Sequence, residues 1–210
     1  ELIAEKLSKN LESDKIHPKG LIAFDVCEDY SNWEAEKGLE QWMKEQNLTG
    51  IYGIDTRELT KILRDKGSMT GEIIPEGAAK ADAPVKATPA DVCTKEVITY
   101  AAQPAQEVEN INGSKAATTE GKKVVLVDCG VKHSIIRALV ARGAEVIRVP
   151  FNYDFTTLEY DGIYVSNGPG CPCDCPETVE YLKKALSENK PVFGLGLGFH
   201  LVAKAAGCEM

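Results

Sequence analysis

The stretch Lys123-Val124-Val125-Leu126-Val127-Asp128 sets the reading of the fold. An unbroken aliphatic run of strand length predicts a strand buried on both faces. Working outward from it, Ser134 to Arg142 carries Ile135, Ile136, Leu139 and Val140 at helical spacing and stops at Gly143. Glu145-Val146-Ile147-Arg148-Val149 and Gly162-Ile163-Tyr164-Val165-Ser166 predict two more strands. Pro176-Glu177-Thr178 opens a helix holding Val179, Leu182 and Leu186. Pro191-Val192-Phe193-Gly194-Leu195 predicts a fourth strand, and Phe199 to Ala206 a final helix. Alternating strands and helices predict an open parallel sheet covered by helices on both faces. Such sheets bind ligands outside the carboxyl ends of their strands. The loops at 128–132, 167–175 and 194–200 are therefore expected to gather at one edge.

The residues before this block divide in two. From 1 to 75, Gly20-Leu21-Ile22-Ala23-Phe24-Asp25 and Ile51-Tyr52-Gly53-Ile54 predict short strands. Ser31-Asn32-Trp33-Glu34 has the capping-box pattern and predicts a helix with Ala35, Leu39, Trp42 and Met43 on one face. Asp55-Thr56-Arg57-Glu58 repeats the pattern and opens a helix through Leu59, Ile62 and Leu63, ended by Gly67. From 75 to 121, Pro75, Pro84, Pro89 and Pro104 break the pattern, with a short helix expected from Thr88 to Val97. Asn110 to Gly121 reads as a linker. The expected partition is a small N-terminal α/β domain at 1–108, a linker at 109–121 and the parallel-sheet domain at 122–210.

Composition narrows the function. In 210 residues, 43% are hydrophobic and 27% charged, which argues against a wholly disordered chain. The net charge of −8 argues against a nucleic-acid partner. No apolar run approaches the ~20 residues that cross a bilayer. The charged start, Glu1-Leu2-Ile3-Ala4-Glu5-Lys6, is unlike a signal peptide. Seven cysteines, an odd number in a long chain, argue against a disulfide framework and for a reducing, cytoplasmic setting.

Three loops are candidates for chemistry. Asn167-Gly168-Pro169-Gly170 follows a strand and can turn sharply enough to present backbone N–H groups to an oxyanion; the alternative is a plain turn. Gly194-Leu195-Gly196-Leu197-Gly198 joins a strand to a helix as a nucleophile elbow does, with Gly196 where Ser or Cys is expected. A dinucleotide fingerprint fits it less well, because position 199 is Phe. Cys171-Pro172-Cys173-Asp174-Cys175 reads as a cysteine-rich turn before a helix rather than a zinc site, whose pairs are usually spaced C-x₂₋₄-C. His200, in the first turn after the elbow, is placed to line the cleft, whereas His133 and His17 are assigned no chemistry.

These segments together resemble the small, glutamine-hydrolysing subunit of carbamoyl-phosphate synthetase. The likeness is carried by Ile54-Asp55-Thr56-Arg57-Glu58-Leu59-Thr60 with Arg64-Asp65-Lys66-Gly67, by Asp128-Cys129-Gly130-Val131-Lys132, by Ser166-Asn167-Gly168-Pro169-Gly170, and by Pro191-Val192-Phe193-Gly194 entering the elbow. The resemblance implies an open parallel-sheet class I amidotransferase domain after the N-terminal domain. It implies an internal fragment of a longer subunit, both domains incomplete, with the family's His and Glu beyond Met210. It implies glutamine hydrolysis, with ammonia passed to a large synthetase subunit for pyrimidine and arginine biosynthesis. No cofactor is expected in this chain, since ATP and Mg belong to the large subunit.

By resemblance, Gly168, Gly170, Leu197 and His200 are the substrate-binding positions, and Gly196 occupies the slot of the nucleophilic Cys. Glycine has no side chain to attack with. His200 stands where the family has Gln, and Cys171 where it has Asp. Two alternatives follow. The chain is a non-catalytic scaffold of an ammonia-dependent synthetase, or Cys171 replaces the missing nucleophile.

Overall fold

The computed structural model describes Leu2 and residues 7–80, 86–106 and 118–209. Most of the expected linker, residues 109–117, lies outside the described residues. The chain divides into two compact units, one of Lys15–Val85 and one of Glu1–Asp14 with Lys86–Met210.

In the first unit, β1 (Gly20–Ile22) and β2 (Thr49–Ile51) pair in parallel, joined through α1 (Leu39–Glu45). β1 stops at Ile22 instead of running to Asp25, and β2 lies earlier than the expected Ile51–Ile54, sharing only Ile51 with it. No helix starts at the predicted capping box. Asn32 Oδ1 accepts from Glu34 N at 2.9 Å, closing a local turn, and the helix begins only at Leu39, after an extended Gly38. Competition of this kind from Asn side chains is why they favour turns over helix interiors. Of α1, Met43 alone is buried. The second helix, α2 (Thr56–Lys66), starts as its sequence predicts: Asp55 Oδ1 accepts from Glu58 N at 2.9 Å, and Gly67 ends it with φ +81°.

In the second unit, the chain from Lys86 onward begins with a single turn, α3 (Pro89–Val92), in which Asp91 Oδ2 accepts from Thr88 N at 2.8 Å. It ends at an extended Cys93 rather than at Val97. An unforeseen strand follows, β3 (Ile98–Tyr100), and then β4 (Lys123–Asp128), α4 (His133–Ala141), β5 (Glu145–Pro150), β6 (Gly162–Val165), α5 (Pro176–Ser187), β7 (Val192–Gly194) and α6 (Leu197–Ala205). The sheet order is β3-β5-β4-β6-β7, parallel throughout except for the antiparallel β3. This is the α/β class expected, with one antiparallel edge strand added. Through β3, residues ahead of Pro104 contribute to this sheet, so the compact division falls near Lys86, upstream of the partition at 108 read from composition. A three-residue strand among prolines carries too little periodicity to show in sequence.

Strand alternation distributes the core. Val125 and Val127 face one way with Val149, Ile163 and Val165, and are covered by Val179 and Leu182 of α5 and Leu197 and Leu201 of α6. Leu126 faces the other way with Tyr100 and Val146, under Ile136 and Val140 of α4. Each fully buried aliphatic side chain contributes roughly 1.5–3 kcal/mol. Among the described residues, no helix is long and apolar enough to cross a membrane.

Candidate functional site

The three loops do meet at the carboxyl ends of β4, β6 and β7. The β4 loop is set by Asp128, which is fully buried. Its Oδ1 accepts from Gly130 N and Val131 N, both at 2.8 Å, and its Oδ2 from Thr94 N at 2.8 Å and Arg148 Nε at 2.7 Å. Burial opposes the Arg148 charge, but Asp128 and Tyr100 outweigh it and hold the guanidinium above its ordinary value. Ser166, at the end of β6, ties this loop to the next: its Oγ accepts from Cys129 N and donates to the Asn167 carbonyl, both at 2.9 Å. Gly168 then lies flat on Cys129. A Cβ on Gly168 would stand 1.9 Å from the Cys129 carbonyl oxygen.

The elbow after β7 is equally tight. A Cβ on Gly194 would meet the Gly198 carbonyl oxygen at 2.5 Å, and one on Gly198 the Val165 carbonyl oxygen at 2.2 Å. Glycine at both flanks is thus required for α6 to start against the end of β6. The apex, Gly196, has φ +55° and ψ −116°. A side chain carried there would be strained, as in a nucleophile elbow, and its Cβ would meet Asn167 Oδ1 at 2.2 Å. The helix starts at Leu197, two residues earlier than predicted, and includes Gly198.

Gly168, Gly170, Gly196, Leu197 and His200, the five positions singled out in sequence, line one pocket of about 510 Å³ together with Cys171 and Pro172. Sequence reasoning missed the side chain of Asn167. Its Oδ1 accepts from Leu197 N at 3.2 Å, bridging the two loops. A polar residue directly after an apolar strand was the available signal. His200 is exposed and stacks edge-on with Phe199, ring centroids 5.5 Å apart. His133 lies elsewhere, buried at the start of α4, with no partner for Nδ1.

The cysteine-rich segment is a 3-10 turn, Pro172–Asp174, leading into α5. At three residues per turn, positions two apart do not share a face, and the three thiols diverge. Cys171 is half-buried at the pocket, Cys173 is exposed and Cys175 is in the core. Among the described residues, no three His, Cys, Asp or Glu side chains converge to hold a metal. Hydrogen bonds from the Cys173 N–H and thiol hold Cys171 below the ordinary thiol range, helped by Lys86 and opposed by Asp174. Burial pushes the Cys175 thiol up to about 11, and pushes Cys129 higher still. The turn is pinned by Asp174, which accepts from Cys171 N at 2.9 Å and pairs with Lys86 at 3.0 Å.

The site is thus a glycine-rich pocket at the strand ends, with glycine at the elbow apex and Cys171 on its wall. Residues 5–73 match the family model for the carbamoyl-phosphate synthase small chain, CPSase domain, and residues 125–210 match glutamine amidotransferase class-I. Over 207 residues the chain is 42% identical to carbamoyl-phosphate synthase [ammonia], mitochondrial, of Homo sapiens, covering 97% of this chain and 13% of that protein. It is 40% identical over 214 residues to multifunctional protein pyr1-3 of Dictyostelium discoideum, covering 97% of this chain and 9% of that protein. Multifunctional protein CAD of Squalus acanthias is 37% identical over 206 residues, again with 97% and 9% covered. The chain spans about a tenth of the length of these relatives.

Proposed function

The chain belongs to the carbamoyl-phosphate synthase small-chain family, with a class I glutamine amidotransferase domain, and on that footing we propose that it is the scaffold component of a synthase that consumes free ammonia. Gly196 carries this reading. An elbow apex without a side chain forms no thioester, and loss of the nucleophile in acyl-transfer enzymes lowers turnover by about a millionfold. The ammonia named for the 42%-identical human relative supports the same reading. The amidotransferase fold then serves to hold a large synthetase partner, which binds ATP and Mg, in a chain leading to pyrimidines and arginine. The proposal places the protein in the cytoplasm, where seven unpaired thiols stay reduced.

The test is carbamoyl phosphate formation by the complete protein with glutamine against ammonium as nitrogen donor. Ammonium alone is expected to support synthesis. Glutamate release from glutamine at a comparable rate overturns the scaffold reading.

A second reading keeps glutamine hydrolysis and uses Cys171. The observation favouring it is a thiol held below its ordinary range on the same pocket as Gly168 and Leu197. A glutamine-like chloroketone whose adduct maps to Cys171, with glutaminase activity lost in Cys171→Ser, supports it; activity unchanged in Cys171→Ser removes it.

A further inference from the structure

We propose that Asn167 is an internal plug, its carboxamide occupying the nucleophile's slot and the oxyanion donor at once; this rests on the reading that Gly196 has ended glutamine hydrolysis here. A Cβ built on Gly196 would lie 2.2 Å from Asn167 Oδ1 and 2.7 Å from its Cγ. The Asn167 carboxamide thus fills the space where any side chain at 196 would begin. The same Oδ1 accepts from Leu197 N at 3.2 Å. In a nucleophile elbow, the N–H of the residue after the apex is the one turned toward the oxyanion. One side chain therefore closes both halves of the machinery.

The chemistry of the plug matches what it displaces. Asn167 carries a primary carboxamide, the group a glutaminase hydrolyses, and its carbonyl oxygen sits on the donor that would polarise the substrate's carbonyl. The Asn167 backbone is held by the Ser166 hydroxyl, which donates to its carbonyl at 2.9 Å, and by the close seat of Gly168 on Cys129. The backbone is fixed, and the side chain alone can turn. Positions 167 and 196 are consequently linked. Glycine at 196 admits the Asn167 carboxamide, and a side chain at 196 evicts it and frees the Leu197 N–H.

The experiment measures hydrogen exchange at the Leu197 amide in the complete protein, with Asn167→Ala and Asn167→Asp compared to the parent. Asn167→Ala removes the acceptor, and exchange at Leu197 is expected to quicken by roughly fivefold or more, the factor one ordinary hydrogen bond represents. Asn167→Asp keeps an acceptor oxygen in place and is expected to preserve the slow exchange. Unchanged exchange in Asn167→Ala overturns the plug, as does equal acceleration in Asn167→Asp or acceleration spread through α6. As a second measurement, G196C and G196C/N167A are compared for the rate of iodoacetamide modification at position 196. The double variant is expected to react at the same rate as G196C, because the Cβ has already displaced Asn167. A large further gain on removing Asn167 overturns the linkage. Glutamine-dependent synthesis by the parent would sink the scaffold reading and leave the exchange result standing, whereas unchanged exchange would sink the plug alone.

Discussion

Arg148 grips Asp128 through a single carboxylate oxygen, Nε at 2.7 Å and Nη2 at 2.6 Å from Oδ2. The other oxygen is left to the Gly130 and Val131 N–H groups, so the pair shapes the β4 loop on which Gly168 is seated. Arg148→Ala leaves a fully buried carboxylate without its cation. Breaking one partner of a buried pair costs about 3–5 kcal/mol. The urea midpoint of the complete protein is expected to fall accordingly, with Arg148→Lys intermediate because it keeps the charge and loses the fork.

Gly168→Ala and Gly198→Ala both drive a methyl group into a carbonyl oxygen, at 1.9 Å and 2.2 Å respectively. The obstructing atoms are backbone and cannot turn aside. Each substitution is expected to destabilise by about 1–3 kcal/mol or more, as overpacking does. Gly71→Ala, with open space around its Cβ position, is expected to be near neutral in the same urea titration.

Among the pocket and core thiols, Cys171 is expected to label first. Its thiolate is favoured by Cys173, while burial disfavours the thiolates of Cys129 and Cys175. The iodoacetamide rate at Cys171 should rise at lower pH than that of an unperturbed thiol. Lys86→Met removes a cation that favours the thiolate, so the rise should move to higher pH. Peptide mapping across a pH series reads both outcomes, and a profile unmoved by Lys86→Met refutes the contribution of that cation.

Asp55→Ala removes the cap of α2, where Asp55 Oδ1 satisfies the Glu58 N–H. The expected cost is about 1 kcal/mol, and Asp55→Asn should recover most of it. Local exchange at the first turn of α2 is the direct measure.

What could be read from sequence follows the strength of local signals. The run Val124 to Val127 and the stripe Ile136–Val140 have one interpretation each, and the structure places them in the core of the sheet and under α4. The cap at Asp55 was legible because side chain and N–H are three residues apart. The capping pattern at Ser31 misled because Asn32 offers the Glu34 N–H a nearer acceptor. The pocket glycines were visible as punctuation. Asn167 was not, because its role depends on the loop 30 residues away that places Leu197 N beside it. The ion pair of Asp128 with Arg148 was hidden likewise, since Asp128 closes one ordinary-looking strand, Arg148 lies inside another, and they meet only across neighbouring strands.

The antiparallel β3 carries an implication for heredity. Tyr100 is buried against the same layer as Val146, and β3 covers the outer flank of β5. A gene fusion or duplication that copied only the stretch from 122 onward would inherit the fold's signature while leaving its flanking seal behind, a naked ribbon edge inviting pairing with its neighbours. Natural breakpoints in this lineage should therefore fall ahead of Ile98, keeping the seal with the module it protects.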